Sequence, residues 1–283
     1  MKVSYYPGCS LHATAKEYDQ SVRAVSRALG IELKEIEDWS CCGASSAHMT
    51  NFKLSVVLPA RNLVIAEKER FNVMMVPCAA CFNRFKSAQY HLQRDELLRI
   101  ETENVIGAKY GGTIEVRNPV DVIFNEIGCE ILNEKVTRKL SGLKPVSYYG
   151  CLLLRPPEIC EFDNYENPYM MDKIMESLGA DSRPWSYKTD CCGGSLTLGK
   201  TEIVVHLVDK LMRMAKEAGA NCLVTACPIC MANLDMRASE GTRLPAFYFT
   251  ELIALAMGLP GPDKWFKMHN VDPRPLLGSL GLI

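Results

Sequence analysis

No stretch of this chain stays apolar over the ~18–20 residues that a membrane-spanning helix needs. The sequence opens Met1-Lys2-Val3-Ser4-Tyr5-Tyr6, with no secretory apolar core, so a cleaved leader is not expected. Runs of Lys or Arg are missing too, and the formal net charge is −1. A nucleic-acid partner would need a basic face, so that class of function is set aside. Nothing reads as a flavin or nicotinamide fingerprint, and Gly111-Gly112 is a lone pair. Gly194-Ser195-Leu196-Thr197-Leu198-Gly199-Lys200-Thr201 does satisfy the spacing of a phosphate-binding loop. It follows Cys191-Cys192 and not a buried strand, so nucleotide binding is not expected there. What is left is a 283-residue chain, 48% hydrophobic, long enough for one large or two modest domains. A cytoplasmic location is the expectation, and thiols stay reduced there.

Cysteine is what the chain has in quantity. Ten of its 13 cysteines fall into one pattern used twice. The first copy is Cys9, then Cys41-Cys42-Gly43, then Cys78-Ala79-Ala80-Cys81. The second is Cys151, then Cys191-Cys192-Gly193, then Cys227-Pro228-Ile229-Cys230. The flanks repeat as well: Tyr5-Tyr6-Pro7-Gly8-Cys9 matches Tyr148-Tyr149-Gly150-Cys151, and Val73-Met74-Met75-Val76-Pro77 matches Cys222-Leu223-Val224-Thr225-Ala226. Two copies mean two related units and not a solenoid. Their boundary is expected near Gly142-Leu143-Lys144-Pro145, giving units 1–142 and 143–283.

Each unit alternates β-rich runs with helical ones, which predicts an α/β fold of two pseudo-symmetric, Rossmann-like halves with parallel sheets. In the first, strands are expected over Val3–Tyr6, Glu32–Ile36 and Val73–Val76. Thr14 and Glu17 suggest a capping box that opens a helix ending at Gly30. Further helices are expected over Asn51–Arg70 and from Cys81 toward Arg99. In the second, strands are expected over Val146–Tyr149 and Leu223–Thr225. Its helices are expected near Tyr165–Leu178, over Thr201–Ala218 and from Cys230 onward. Glu101–Leu140 reads as a helical connection. The tail from Pro260 reads as irregular, its apolar residues (Trp265, Phe266, Leu276, Leu277, Leu280) suited to docking on the body or on a partner. Cys9, Cys78, Cys151 and Cys227 each sit just past a strand, where ligands of such folds gather.

Five thiols per copy exceed what one zinc ion uses, so the pattern points to an iron–sulfur cluster in each half. A Cys-x-x-Cys at a helix start lends N–H groups and a positive dipole end to an anionic cluster. Adjacent cysteines diverge, which suits two irons of one cluster better than one ion. Gly43 and Gly193 let the backbone approach closely. The alternative is a zinc scaffold using four of the five thiols in each half.

These two Cys…Cys-Cys-Gly…Cys-x-x-Cys units resemble the CCG domains of the heterodisulfide reductase B-type chain, from Cys9 to Cys230, and Val271-Asp272-Pro273-Arg274-Pro275-Leu276-Leu277 is similar to the tail of that family. The resemblance implies two noncubane [4Fe-4S] clusters. One would use Cys9, Cys41, Cys42, Cys78 and Cys81, the other Cys151, Cys191, Cys192, Cys227 and Cys230. It implies an oxidoreductase acting on a sulfur group, reducing the coenzyme M–coenzyme B disulfide of methanogenesis between the clusters. Its electrons would come from a ferredoxin-like iron–sulfur partner (the C-type chain of that family) and, through it, a flavin-containing partner (the A-type chain). The tail would be the docking element. Such a disulfide is anionic, so cations close in sequence to the cysteines are the candidate anchors: His48, Lys53, Arg84, Arg155 and Lys200. His206 reads as a core histidine. Cys129, Cys160 and Cys222 fall outside the repeat, with buried packing as the default and an approach of Cys160 to the second cluster as its alternative. Two other functions stay open: an electron-transfer component in lactate, glycolate, succinate, quinone or sulfur metabolism, and a non-catalytic protein.

Overall fold

The computed structural model describes residues 1–44, 47–162 and 164–283. Its first sheet holds β1 (Lys2–Tyr5), β2 (Glu32–Glu35), β3 (Val73–Met75) and β4 (Glu115–Arg117) in the order β2-β1-β3-β4. The second holds β5 (Pro145–Tyr148), β6 (Cys222–Thr225) and β7 (Ala246–Tyr248) in the order β5-β6-β7. Every pairing is parallel. Parallel strands are covered on both faces, which is why runs such as Cys222-Leu223-Val224-Thr225 are wholly buried.

The helices of the first half are α1 (Gly8–Ala13), α2 (Lys16–Ala28), α3 (Ala47–Thr50), α4 (Phe52–Lys68), α5 (Ala79–Arg94), α6 (Glu96–Ile106), α7 (Pro119–Val122) and α8 (Gly128–Glu134). Those of the second are α9 (Pro157–Cys160), α10 (Met170–Ser177), α11 (Thr201–Glu217), α12 (Pro228–Arg237), α13 (Phe249–Ala256), α14 (Pro262–Trp265) and α15 (Arg274–Ser279). None among the described residues is long and apolar enough to cross a membrane.

The two-half α/β architecture is as expected, with five local corrections. The Thr14 capping box does not form: Thr14 closes the short α1, and α2 starts after Ala15 without a side-chain cap. The expected single helix from Cys81 toward Arg99 is two, because Asp95 leaves helical geometry and caps α6 by accepting the Leu98 N–H at 2.9 Å. The connection after Glu101 contains β4, which pairs with β3 and is too short to show a period. The tail is not irregular but forms α14 and α15, and it docks on its own body as one of the two expected surfaces, with Trp265, Phe266 and Leu277 buried. His206 is exposed on α11, opposite the face that buries Val204, Val208, Leu211, Met212 and Ala215.

Among the described residues, the second sheet has no strand beside β5 on the side where β2 flanks β1. Residues 181–188 take that place irregularly: Arg183 N–H donates to Pro145 O (2.8 Å), and Lys188 O accepts from Tyr149 N–H (2.9 Å). Pro184 has no N–H to continue the ladder.

The halves share one hydrophobic core. At their junction α2 lies on α13. Tyr18 stacks flat on Tyr248, ring centroids 4.1 Å apart, and Ser21 Oγ meets Thr250 Oγ1 at 2.7 Å. Asn83 on α5 also reaches across, donating to the carbonyls of Leu152 (3.2 Å) and Arg155 (2.8 Å).

Candidate metal centre

Each cysteine quintet is drawn from three separate stretches of chain, two of them just past a strand. Cys9 begins α1 after β1, Cys41-Cys42 lie in the loop before α3, and Cys78 is the N-cap of α5 with Cys81 in its first turn. In the second half Cys151 follows β5, Cys191-Cys192 precede a short 3₁₀ turn (Gly194–Leu196), and Cys227 caps α12 with Cys230 in its first turn.

All 13 cysteines are free thiols. The sulfurs of Cys42 and Cys81 lie 3.0 Å apart, those of Cys192 and Cys230 3.6 Å, and those of Cys151 and Cys191 3.9 Å. Among the described residues, no three His, Cys, Asp or Glu side chains are placed to hold a single metal ion. The sulfur contacts run in chains, with Cys42 between Cys41 and Cys81 and Cys230 between Cys192 and Cys227.

Glycines leave the space around the sulfurs. A Cβ on Gly8 would lie 3.2 Å from Cys81 Sγ, and one on Gly150 2.8 Å from Cys230 Sγ; both residues also have left-handed φ, +69° and +68°. Gly43 and Gly193 point their N–H at Cys41 Sγ (3.4 Å) and Cys191 Sγ (3.3 Å). Close glycine backbone and N–H groups thus line the sulfurs in both halves.

Ionisation within the quintets is shared unevenly. Hydrogen bonds from Cys41 and Cys81 hold the Cys42 thiol well below its ordinary range. A hydrogen bond from Cys151, helped by the N–H groups of Gly193 and Gly194, lowers Cys191 to about 6 against the effect of burial. One from Cys230 lowers Cys227 to about 7, also against burial, with help from backbone N–H groups that include Ala79 across the junction. Cys41, Cys81, Cys151 and Cys230 are pushed up, first by the hydrogen bonds they give to their lowered neighbours. A cationic metal among five such thiols would favour their deprotonation.

Each quintet has an open and a closed side. Cys9, Cys41 and Cys191 are exposed, whereas Cys78 and Cys227 are buried. The buried pair lies at the junction: Tyr18 feels both thiols, its OH donates to Ala226 O at 3.1 Å, and Ala79 N–H faces Cys227.

Of the five candidate anchors, Arg84 is at a quintet. It is half-buried, close enough to Cys42 for the two charges to interact, and bonded to Asn83 Oδ1 at 2.6 Å. Arg155 is exposed near Cys151 and reaches Thr189 Oγ1 at 3.3 Å, just before Asp190-Cys191. Lys53 is instead tied to Glu101 at 2.8 Å. His48 and Lys200 are exposed on α3 and before α11. Cys160 is buried against α5, 3.3 Å from Asn83 Nδ2, and Cys222 is buried in β6. Burial lifts the Cys160 thiol to about 11. Cys129 is half-buried on α8, where burial pushes its thiol up as well.

Three neighbours of the cysteines escape the sequence pattern. Tyr6 and Tyr148 each stand three residues before the first cysteine, face four sulfurs of their own quintet, and donate to the carbonyl before Cys-Cys, at Ser40 (2.8 Å) and Asp190 (2.6 Å). Aligning the repeats on Cys9 and Cys151 without a gap would have paired them. Asn233 donates to Cys192 O (3.0 Å) and contacts its sulfur (3.6 Å). It stands three residues after Cys230, as Arg84 does after Cys81.

Comparison with known proteins matches both copies of the repeat. A cysteine-rich domain family, CCG, matches residues 3–86 and 146–235. The chain is 32% identical to the 8-methylmenaquinol:fumarate reductase membrane anchor subunit of Wolinella succinogenes, over 97% of this chain and 98% of that one. It is 27% identical to the B-type chain of the ferredoxin:CoB-CoM heterodisulfide reductase of Methanosarcina mazei, over 93% and 91%. A hypothetical protein from Helicobacter pylori shares the fold, with a TM-score of 0.71 at 10% identity, covering 95% of this chain and about half (51%) of that longer one. With both copies of the pattern matched and both quintets gathered, the chain belongs to the CCG cysteine-rich domain family.

Proposed function

We propose that the two quintets hold two iron–sulfur clusters and that the chain is an electron-carrying component of a multi-subunit redox complex. The observation behind this is the doubled set of five free thiols on glycine-lined cradles. Cys9, Cys41, Cys42, Cys78 and Cys81 would hold one cluster, and Cys151, Cys191, Cys192, Cys227 and Cys230 the other, each of the noncubane [4Fe-4S] type that the family resemblance implies. Such clusters supply one-electron carriers. The units 1–142 and 143–283 are then two cluster-binding halves packed as one body.

The chain's own residues do three things in this reading. The exposed cysteines leave each site reachable from outside. The buried Cys78 and Cys227 bring the two sites together at the junction. Arg84 and Arg155 add positive charge beside them. These features suit an oxidoreductase that accepts single electrons from a partner and delivers two to a small anionic disulfide, with a ferredoxin-like protein and a flavoprotein upstream. Similarity to B-type chains of heterodisulfide reductases supports the disulfide as substrate. A second reading is a quinol-linked complex. It is favoured by the 32% identity, nearly end to end, with the fumarate reductase component.

The test is the complex purified without air. Iron and acid-labile sulfide are measured first, then turnover of the heterodisulfide with reduced viologen against turnover of a menaquinol with fumarate. Disulfide turnover upholds the first reading, and quinol turnover alone replaces it with the second. Two zinc ions per chain without sulfide would end both.

A further inference from the structure

Between the halves, apart from both quintets, lies a buried group of acids and one imidazole. Glu17 on α2 is 7% exposed, Glu251 on α13 0%, Asp235 on α12 6%, and His269 in the C-terminal segment 9%. His269 Nδ1 stands 3.0 Å from Ala246 O; a carbonyl only accepts, so Nδ1 carries a hydrogen. Its Nε2 lies 3.0 Å from Glu251 Oε1, a contact that needs one more proton, on the ring or on the carboxyl. Glu251 Oε2 accepts the Tyr248 N–H at 2.9 Å. Asp235 accepts the N–H groups of Asn270 (2.7 Å) and Val271 (2.8 Å). Each of these groups has its partners.

Glu17 is less well served. Among the described residues no cation and no other residue's donor is found at its carboxylate, and the hydrogen bond it has is from its own backbone N–H. The titratable groups facing it are Glu251 from α13, Asp235 from α12, His269 from the C-terminal segment and Tyr248 from β7. Burial comes first in lifting its carboxyl to about 7; Glu251 and Asp235 add to this and His269 opposes it. The route inward is short. Tyr18, the next residue, stacks on Tyr248 and bonds to Ala226 O, one residue before Cys227.

We propose that Glu17 is a proton-accepting site coupled to electron loading at the paired quintets. An electron arriving from the partner redox protein at the buried Cys78–Cys227 edge draws one proton from water onto the Glu17 carboxylate. When the electron leaves, the proton returns to water. The reason is electrostatic: negative charge added in a poorly screened interior strengthens proton binding at a buried carboxylate that no cation holds ionised. The proposal rests on the two-cluster reading above.

The experiment is a redox titration of the holo complex from pH 6 to 9, followed by electron paramagnetic resonance. The wild type is expected to show at least one midpoint potential falling by ~59 mV per pH unit above about pH 7, the value for one proton per electron. Glu17→Gln should flatten that slope, and Glu17→Asp should restore it. A reduced-minus-oxidised infrared spectrum should show a protonated carboxyl band that Glu17→Gln lacks. A wild-type potential independent of pH, or an unchanged slope in Glu17→Gln, overturns the coupling while measured iron and sulfide leave the cluster reading intact. Absence of iron and sulfide from the wild type overturns both.

Discussion

The two halves repeat one cysteine pattern but surround it with different charge. Three residues past its Cys-x-x-Cys, the first half places Arg84 beside Cys42, whereas the second places Asn233, which bonds Cys192 through a neutral amide. The first half has a regular edge strand, β2, next to its sheet; the second has the Pro184-interrupted stretch 181–188. A duplicated scaffold has thus kept the sulfur positions while the surroundings diverged. Backbone geometry at the quintets is the shared part, and electrostatics is where the halves differ.

Breaking one half at a time gives the largest expected effect. Cys81→Ser should remove about half the iron and sulfide and leave the second half's signal, and Cys230→Ser should do the reverse. Metal analysis with magnetic resonance checks this. Loss of all iron from either variant would show that the halves do not load independently, and the comparison between them would fail.

How much of this is legible in sequence depends on the range over which each feature is encoded. The quintets, α4, α11 and the strands β1, β3, β5 and β6 are written in local patterns of spacing and periodicity. β4 and β7 are three residues each, and their strand character comes from pairing with β3 and β6 across long sequence gaps. His206 is misplaced by the sequence reading because a run of apolar neighbours hides which face of the helix it occupies. Lys53 is a candidate through closeness to Cys42 in the chain, yet α6 brings Glu101 to it. The tail's apolar residues are visible, but not that Trp265 Nε1 bonds Gln20 Oε1 at 2.8 Å and so closes over α2. The buried residues of this tail dock on the body, one of the two surfaces expected for them.

The glycines before the first cysteines sharpen the comparison of backbones. Ala at Gly150 meets Cys230 Sγ at 2.8 Å, while Ala at Gly8 meets Cys81 Sγ at 3.2 Å and Tyr6 at 3.1 Å. Both positions have positive φ, which alone costs ~1–2 kcal/mol for a side chain. Gly150→Ala should therefore lose more stability in denaturant unfolding than Gly8→Ala, and should lose iron from the second half selectively. Equal behaviour would mean that strain in φ, and not contact with the sulfur, is what both sites avoid.

Exchanging the charges tests the electrostatic difference. A cation favours the more negative, reduced state of a nearby redox centre. Arg84→Asn should lower the first half's midpoint potential, and Asn233→Arg should raise that of the second. A unit charge several ångströms away at an effective dielectric of ~20 amounts to on the order of 100 mV. Potentials that do not move in opposite directions would remove Arg84 as the source of asymmetry.

The last contrast concerns two buried acids near the starts of corresponding helices. Asp172 on α10 is paired with Lys188 at 2.7 Å, whereas Glu17 on α2 has no such cation. Its carboxyl is raised from the ordinary carboxylate range to about 7, first by burial and then by the neighbouring Glu251 and Asp235. Between those two pH values the folded protein holds a proton that the unfolded chain has released. Stability from this group is thus complete at acid pH and lost as pH rises through about 7. Glu17→Gln removes the titration while keeping the shape. It should leave the melting temperature nearly unchanged at pH 5 and raise it at pH 8, by the equivalent of ~2 kcal/mol. Thermal unfolding across pH measures this directly. A variant less stable than wild type at pH 8 would mean that ionised Glu17 is held by a favourable partner, and the contrast with Asp172 would vanish.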